Sequence, residues 1–321
     1  MQWDLLFENF RNPALLFFIL GIIASQLKSD LAVPANSSKF ISLYLLFSIG
    51  FKGGQELAHS PFNTQIVWAL AAGFFLALLV PPYVFMLTKR FFGVQTAGAV
   101  SAAYGSVSAV TFVTAISFLE MQSISYGGHM VAVMALMEAP SIVAGVLLIS
   151  VCSSERFSWN TLSPVLRHAL TNGSVFLIMG SLVIGFISSD SQAEGITPFT
   201  TDIFKGFLAI FLLDMGLSCG KHLKGFFKRS STALAVAILV PLFNGSLTSY
   251  LSGFFLEETG DRLLLTILAA SASYIAVPAA MKLAAPKANP GIYLTMALGV
   301  TFPLNVMFGI PFYLYLIELL S

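Results

Sequence analysis

Charged side chains are scarce in this sequence of 321 residues. Asp, Glu, Lys and Arg together make up 10% of the chain, whereas hydrophobic residues make up 57%. A soluble domain carries about 25% charged residues, because its surface must stay hydrated. The scarcity of charge, together with repeated long apolar runs, therefore predicts an integral membrane protein. The net charge of +1 excludes a polybasic protein that binds nucleic acid.

Cysteine is also rare, and the rarity excludes a disulfide framework. Only Cys152 and Cys219 are present, and both are interpreted as structural. The four histidines are scattered without metal-ligand spacing, and no Ser-His-Asp arrangement, glycine-rich phosphate loop or cysteine zinc pattern occurs. The sequence therefore predicts neither an enzyme nor a bound cofactor. A membrane enzyme or sensor is the alternative class, but the catalytic cluster or soluble output domain that it needs is not visible.

Ten apolar segments can be marked as candidate membrane spans. They cover roughly residues 13–27, 40–55, 64–88, 96–119, 129–151, 171–189, 203–220, 231–255, 263–283 and 291–318. Most Lys and Arg residues fall in the odd-numbered loops between them, and basic residues are retained on the cytoplasmic side. This pattern predicts a multi-pass protein of the inner (plasma) membrane with both termini outside the cytoplasm.

The two halves of the chain contain similar motifs in the same order. Residues 50–57 align with 216–223, residues 101–109 align with 271–279, and Met134-Ala135-Leu136 aligns with Met296-Ala297-Leu298. Because each half holds five spans, an odd number, the second half must enter the membrane from the opposite side. The predicted fold is therefore all-α, with two inverted five-helix repeats at 1–151 and 171–321, joined by a cytoplasmic loop at 152–170.

The fourth and ninth segments are the candidates for broken helices that cross. Both are rich in small residues, and the paired motifs contain Gly105 and Pro278. Glycine loosens a helix and proline removes one of its hydrogen bonds. A break in mid-membrane exposes helix N-termini that suit an anion, and carbonyls or hydroxyls that suit Na⁺. The alternative is that the small residues only allow helices to pack closely.

Three polar side chains lie deep in apolar segments. Glu138 lies in the fifth segment and is the preferred Na⁺ ligand; the alternatives are a proton carrier or a carboxyl that bonds a neighbouring helix. Asp214 in the seventh segment is interpreted as structural, paired with Lys52 or Lys205 or bonded to backbone. Asn305 in the tenth segment either coordinates an ion or makes a structural hydrogen bond.

These motifs resemble those of the sodium-dependent bicarbonate transporters first described in cyanobacteria. The resemblance covers nearly the whole chain and rests on five stretches: GFKGG at 50–54, YGSVS at 104–108, MEAP at 137–140, LLDMG at 212–216 and ASASYIAVPAAM at 270–281. It implies a homotrimer in which a core domain moves against a gate domain. Typical members have a longer central connection and a PII-like regulator, so the short connection here argues against such a partner.

The resemblance implies Na⁺-driven uptake of bicarbonate at the crossing broken helices. On this basis the predicted anion-binding residues are Gly105, Ser106, Ser108, Ser271, Ser273 and Ala276. The predicted Na⁺ ligands are Glu138, Thr111 and Asn305. The alternative within the same architecture is an Na⁺- or H⁺-coupled carrier of another small carboxylate.

Overall fold

The computed structural model describes residues 3–60, 62–153, 163–164, 167, 171–226 and 231–320. Over these residues the chain is helical and contains no β-strand. The first half forms α1 (Trp3–Arg11), α2 (Pro13–Gln26), α3 (Ala35–His59), α4 (Thr64–Phe92), α5 (Val94–Gly105), α6 (Ala109–Met121) and α7 (His129–Cys152). The second half forms α8 (Gly173–Ile187), α9 (Asp190–Glu194), α10 (Phe204–Phe226), α11 (Ser231–Ser252), α12 (Thr259–Ala270), α13 (Ala276–Ala284) and α14 (Pro290–Leu319).

Local capping fixes where several helices begin. The side chains of Asn12, Asn63 and Asn172 accept a hydrogen bond from a backbone N–H in the first turn of α2, α4 and α8. Each asparagine satisfies one of the N–H groups that a helix start leaves unpaired. The last helix, α14, is irregular, because residues Thr295–Thr301 and Asn305–Gly309 form π-helical turns within it.

Every one of the ten predicted segments is helical, but fewer helices meet the length and apolarity expected of a membrane span. Six do so among the described residues: Thr64–Phe92, Val94–Met121, His129–Cys152, Pro198–His222, Ser231–Ser252 and Pro290–Leu319. A seventh arises if α1 and α2, which bend by 68° at their junction, are counted as one. The count of ten therefore stays a prediction, as do the repeat boundaries. Most of the loop at 152–170 lies outside the described residues.

Large apolar side chains on the outer surface fit a multi-pass membrane protein. On α4, Trp68, Phe75 and Leu79 are each more than half exposed. A soluble protein would bury such side chains, whereas a lipid-facing helix leaves them on the surface. The helix α1 was not predicted, and α3 extends further at both ends than the predicted segment 40–55.

Glycines allow two helix pairs to pack in close contact. On the interface of α3 with α8, a Cβ added to Gly54 would lie 2.1 Å from the Leu182 carbonyl oxygen, and one added to Gly185 would lie 2.1 Å from the Phe51 carbonyl oxygen. On the interface of α2 with α10, a Cβ at Gly216 would lie 2.1 Å from the Phe18 carbonyl oxygen. The backbones therefore touch, as they do in tightly packed membrane helices.

The substitution Gly185→Ala is expected to destabilise this packing. The added methyl group would force α3 and α8 apart, which typically costs about 1–3 kcal/mol. We expect the apparent melting temperature of the purified protein in detergent to fall by roughly 5 °C. Gly180→Ala is the matched control on the same helix, because nothing lies within 4 Å of its added Cβ. Equal melting temperatures for the two variants would show that close packing at Gly185 does not matter.

Candidate functional site

Both predicted helix breaks are present in the structure. In the first, α5 ends at Gly105, Ser106 is extended (φ −84°, ψ −176°) and α6 begins at Ala109. In the second, α12 ends at Ala270, Ser271 is extended (φ −90°, ψ 173°) and α13 begins at Ala276. Each break leaves a helix C-terminus and a helix N-terminus inside the protein, where water cannot satisfy their backbone groups.

Ser108 begins α6 in the manner of a helix cap. Its hydroxyl oxygen accepts hydrogen bonds from the Thr111 backbone N–H at 3.2 Å and from the Thr111 hydroxyl at 2.8 Å. Both residues are buried. The cap stabilises a short helix that would otherwise start with unpaired N–H groups. Thr111 therefore has a structural role at the start of α6, next to the first break.

The two breaks are hydrogen-bonded directly to each other. The Ser108 backbone N–H donates to the Ser271 hydroxyl oxygen at 2.9 Å, and the Ser273 backbone N–H donates to the Ala103 carbonyl oxygen at 2.8 Å. The Ser271 hydroxyl in turn donates to the Leu268 carbonyl at 3.0 Å. Backbone groups freed by one break are thus satisfied by the other, so the two breaks form a single unit.

Side chains from neighbouring helices satisfy the carbonyls at the ends of the broken helices. The Ser141 hydroxyl donates to the Ala102 carbonyl at 2.9 Å, and the Asn305 side-chain amide donates to the Ala270 carbonyl at 2.8 Å. Two buried oxygens, Ser106 Oγ and Asn305 Oδ1, have no hydrogen-bond partner among the described residues. Unpaired buried acceptors are rare in proteins and are suited to a cation.

Gly105 is required by the close approach of α4 and α7 to the first break. A Cβ added there would lie 2.5 Å from both the Pro81 side chain and the Ser141 hydroxyl oxygen. Any larger residue would push the end of α5 away from Ser141, whose hydroxyl bonds to Ala102. The glycine therefore allows the chain to turn out of α5 within a crowded interior.

A cavity lies in front of the two breaks. The residues that line it come from both breaks and from α3, α6, α7, α8, α10 and α13: Ser42, Leu45, Leu46, Val107, Ser108, Ala109, Val110, Val113, Met134, Ala135, Glu138, Ser174, Ile178, Phe211, Ser273, Tyr274, Ile275 and Ala276. The first turns of α6 and α13 therefore border the same space.

The electrostatics of this cavity suit two ions of opposite sign. The N-termini of α6 and α13 carry partial positive charge and backbone N–H groups, which favour an anion. Glu138 of α7 is half-buried on the same wall, and the structure records no hydrogen bond or ion pair for it among the described residues. A carboxylate in an apolar helix without a protein partner favours a cation next to it.

The structure brings together only part of the predicted site. Of the predicted anion-binding residues, Ser108, Ser273 and Ala276 line the cavity. Gly105, Ser106 and Ser271 lie within the breaks but do not border it. Of the predicted Na⁺ ligands only Glu138 lines the cavity, whereas Thr111 and Asn305 are buried behind it.

Sequence reasoning missed three polar residues of the cavity: Ser42, Ser174 and Tyr274. Tyr274 aligns with Tyr104 in the repeated motif, a signal that could have identified it. Ser42 and Ser174 line the cavity from α3 and α8, and nothing in their sequence neighbourhood distinguishes them.

Of the suggested partners of Asp214, neither Lys52 nor Lys205 forms an ion pair with it in the described part of the chain. Asp214 accepts a hydrogen bond from the Ser38 hydroxyl at the start of α3, and Lys52 forms an ion pair with Glu120 at the end of α6.

The profile of the Na⁺-dependent bicarbonate transporter superfamily matches residues 13–318, which include both breaks and every residue that lines the cavity. The chain belongs to this superfamily. No curated protein sequence matches the chain significantly. Membership of the Na⁺-dependent bicarbonate transporter superfamily implies bicarbonate and Na⁺ as transported substrates, and it argues for a transporter over an enzyme.

Proposed function

We propose that the protein is an Na⁺-coupled bicarbonate symporter that works by alternating access. One observation carries this proposal: two helix N-termini and an unpaired carboxylate face the same cavity. The helix N-termini would hold bicarbonate, and Glu138 would hold Na⁺. A cavity that favours both ions together is what cotransport requires.

Coupling would follow from the attraction between the two bound ions. An anion at the helix N-termini lowers the cost of placing Na⁺ beside Glu138, and Na⁺ lowers the cost of the anion equally. In a largely apolar cavity this attraction is much stronger than in water. Loading of either ion alone is then unfavourable, which prevents one ion from crossing without the other.

The residue roles follow the prediction from sequence. Ser108, Ser273 and Ala276 would contact the anion directly, while Gly105, Ser106 and Ser271 would shape the breaks that present the backbone N–H groups. Glu138 would bind Na⁺ from the cavity wall. Thr111 and Asn305, which do not line the cavity, would supply further oxygen ligands to the same Na⁺. The unpaired Asn305 Oδ1 supports the assignment to a cation.

The glycine contacts support the inverted repeat. Gly50 and Gly54 of α3 pack on the backbone of α8, and their aligned counterparts Gly216 and Gly220 of α10 pack on α2. If the two halves are inverted copies, α3 corresponds to α10 and α8 to α2, so the two contacts are equivalent. The proposed architecture therefore has ten spans in two inverted five-helix repeats, with the termini outside.

These contacts also suggest which parts would move. The helices α2, α3, α8 and α10 would form the gate, and the remaining helices, which contain both breaks, would form the core. Sliding of the core along the gate would carry the site across the membrane. A homotrimer in the plasma membrane, without a PII-like regulator, completes the proposal.

Uptake by reconstituted protein is the direct test. We expect proteoliposomes to accumulate labelled bicarbonate only when an inward Na⁺ gradient is imposed, because a single ion is not carried alone. Replacing Na⁺ by K⁺ is the control. Uptake of a small carboxylate such as acetate or pyruvate in place of bicarbonate would favour the alternative substrate, and uptake driven by a pH gradient without Na⁺ would contradict Na⁺ coupling.

A further inference from the structure

A second cavity lies between α3 and α6, away from the helix breaks. Its polar lining includes Ser48 and Lys52 of α3, Glu120 of α6 and Tyr126. Among the described residues that line it, Lys52 is the only cation.

The two cavities lie along the same seam between α3 and α6. Leu46 and Val113 border the first cavity, and Ile49 and Ile116, which come three residues later on the same helices, border the second. Three residues correspond to a rise of about 4.5 Å along each helix. In the predicted topology, the second cavity is nearer the outer ends of α3 and α6, and the first is nearer the cytoplasmic end of α3.

Lys52 and Glu120 connect α3 and α6, the helices on either side of the second cavity. They form an ion pair across the seam, and their side chains are 33% and 23% exposed. Both charges are therefore partly desolvated while remaining in contact with the cavity. Glu56, one turn further along α3, has a buried carboxylate oxygen without a partner among the described residues. Without Lys52 this end of the seam would be negatively charged and would repel an anion.

A buried hydroxyl group also lies close to Lys52. Ser48 lies one turn before Lys52 on α3, is 1% exposed and borders the second cavity. Its hydroxyl interacts with the hydroxyl of Tyr44, which donates its own proton to the Phe199 carbonyl. An oxyanion in the cavity would be a stronger acceptor for the Ser48 proton than the neutral Tyr44 oxygen.

We propose that the second cavity is a transient binding site for the incoming anion, in which Lys52 exchanges Glu120 for the oxyanion. This inference rests on the proposed function. When α3 and α6 are together, Glu120 neutralises Lys52 and the outer end of the seam is closed. When they separate, the Lys52 ammonium and the Ser48 hydroxyl receive the anion before it moves to the helix breaks.

The experiment compares the two halves of the ion pair. Labelled bicarbonate uptake by proteoliposomes is measured against bicarbonate concentration at a fixed Na⁺ gradient. We expect Lys52→Gln to raise the half-saturating concentration roughly tenfold or more, because a charge-assisted contact to the anion is lost. Glu120→Gln leaves Lys52 free, so its half-saturating concentration is expected to stay equal to that of the unchanged protein or fall. Lys52→Arg keeps the charge, so its half-saturating concentration should lie well below that of Lys52→Gln.

A purely structural ion pair gives a different pattern. Lys52→Gln and Glu120→Gln would then lower the melting temperature and change uptake alike, which would overturn the proposal. The double variant Lys52→Gln with Glu120→Gln removes both charges, and recovery of the half-saturating concentration there would show that Lys52 only offsets Glu120. If the unchanged protein carries another small anion, the same comparison is made with that anion. A protein that carries no anion at all refutes the proposed function and this inference together.

Discussion

Replacing Glu138 by glutamine is expected to reduce Na⁺-dependent bicarbonate uptake by about two orders of magnitude. Glu138 presents a half-buried carboxylate to the cavity, and no described residue pairs with it. If Na⁺ neutralises this charge, glutamine removes about 3 kcal/mol of ion binding, the order of the cost of a charge at the centre of a membrane helix. Each ~1.4 kcal/mol corresponds to a tenfold change in affinity. The measurement is initial uptake against Na⁺ concentration, in which the half-saturating Na⁺ concentration should rise beyond the accessible range.

The chain offers a matched control in Asp214. It is a second carboxylate inside an apolar helix, but it accepts a hydrogen bond from Ser38 and does not line the cavity. Asp214→Asn should therefore leave the Na⁺ dependence of uptake unchanged. If Glu138→Gln folds, as judged by its elution and melting temperature, and still shows normal Na⁺ dependence, Glu138 has no part in coupling. A proton carrier would instead give a variant whose remaining uptake no longer depends on pH.

Ser271→Ala is expected to abolish uptake almost completely by misaligning the two breaks. The Ser271 hydroxyl accepts the hydrogen bond from the Ser108 backbone N–H and donates to the Leu268 carbonyl. Its loss leaves a buried N–H group unsatisfied, which costs about 1–3 kcal/mol. The first turn of α6 would then shift to find another partner. Because that turn lines the cavity, we expect a loss of roughly a hundredfold in the uptake rate, a factor typical of a displacement of about 1 Å at a functional site.

Ser101 provides the comparison for this variant. It is also a fully buried serine of a broken span, but among the described residues its hydroxyl bonds only to the Gly98 carbonyl in its own helix. Ser101→Ala should therefore retain most of the uptake at nearly the same melting temperature. Should both serine variants lose the same activity, loss of any buried hydroxyl would explain the result, and the bond between the breaks would have no special role.

The positions of both breaks could be predicted from the sequence because their cause is local. Glycine and serine at 105–108, and serine with proline at 271–278, disfavour a continuous helix wherever they occur. The aligned repeat then identifies the two breaks as partners. The hydrogen bond from Ser108 to Ser271 depends on how the helices pack, so it could not be predicted from the spacing of residues along the chain.

The remaining features of the site depend on contacts between distant helices. Ser42 and Ser174 border the cavity only because α3 packs on α8 through glycines. Lys52 pairs with Glu120 because the packing of the helices brings α3 next to α6. Thr111 is a predicted Na⁺ ligand, yet its hydroxyl donates a hydrogen bond to Ser108, the residue whose hydroxyl oxygen caps α6.

The direct bonds between the breaks have a consequence for how the binding site travels. Because Ser108 is bonded to Ser271 and Ser273 to Ala103, the helix ends at the two breaks are held together beside the cavity. In the proposed mechanism, neither half of the chain would then carry an ion across the membrane by itself. Both breaks would move together as one rigid body, and the shape of the proposed binding site would be preserved throughout the movement.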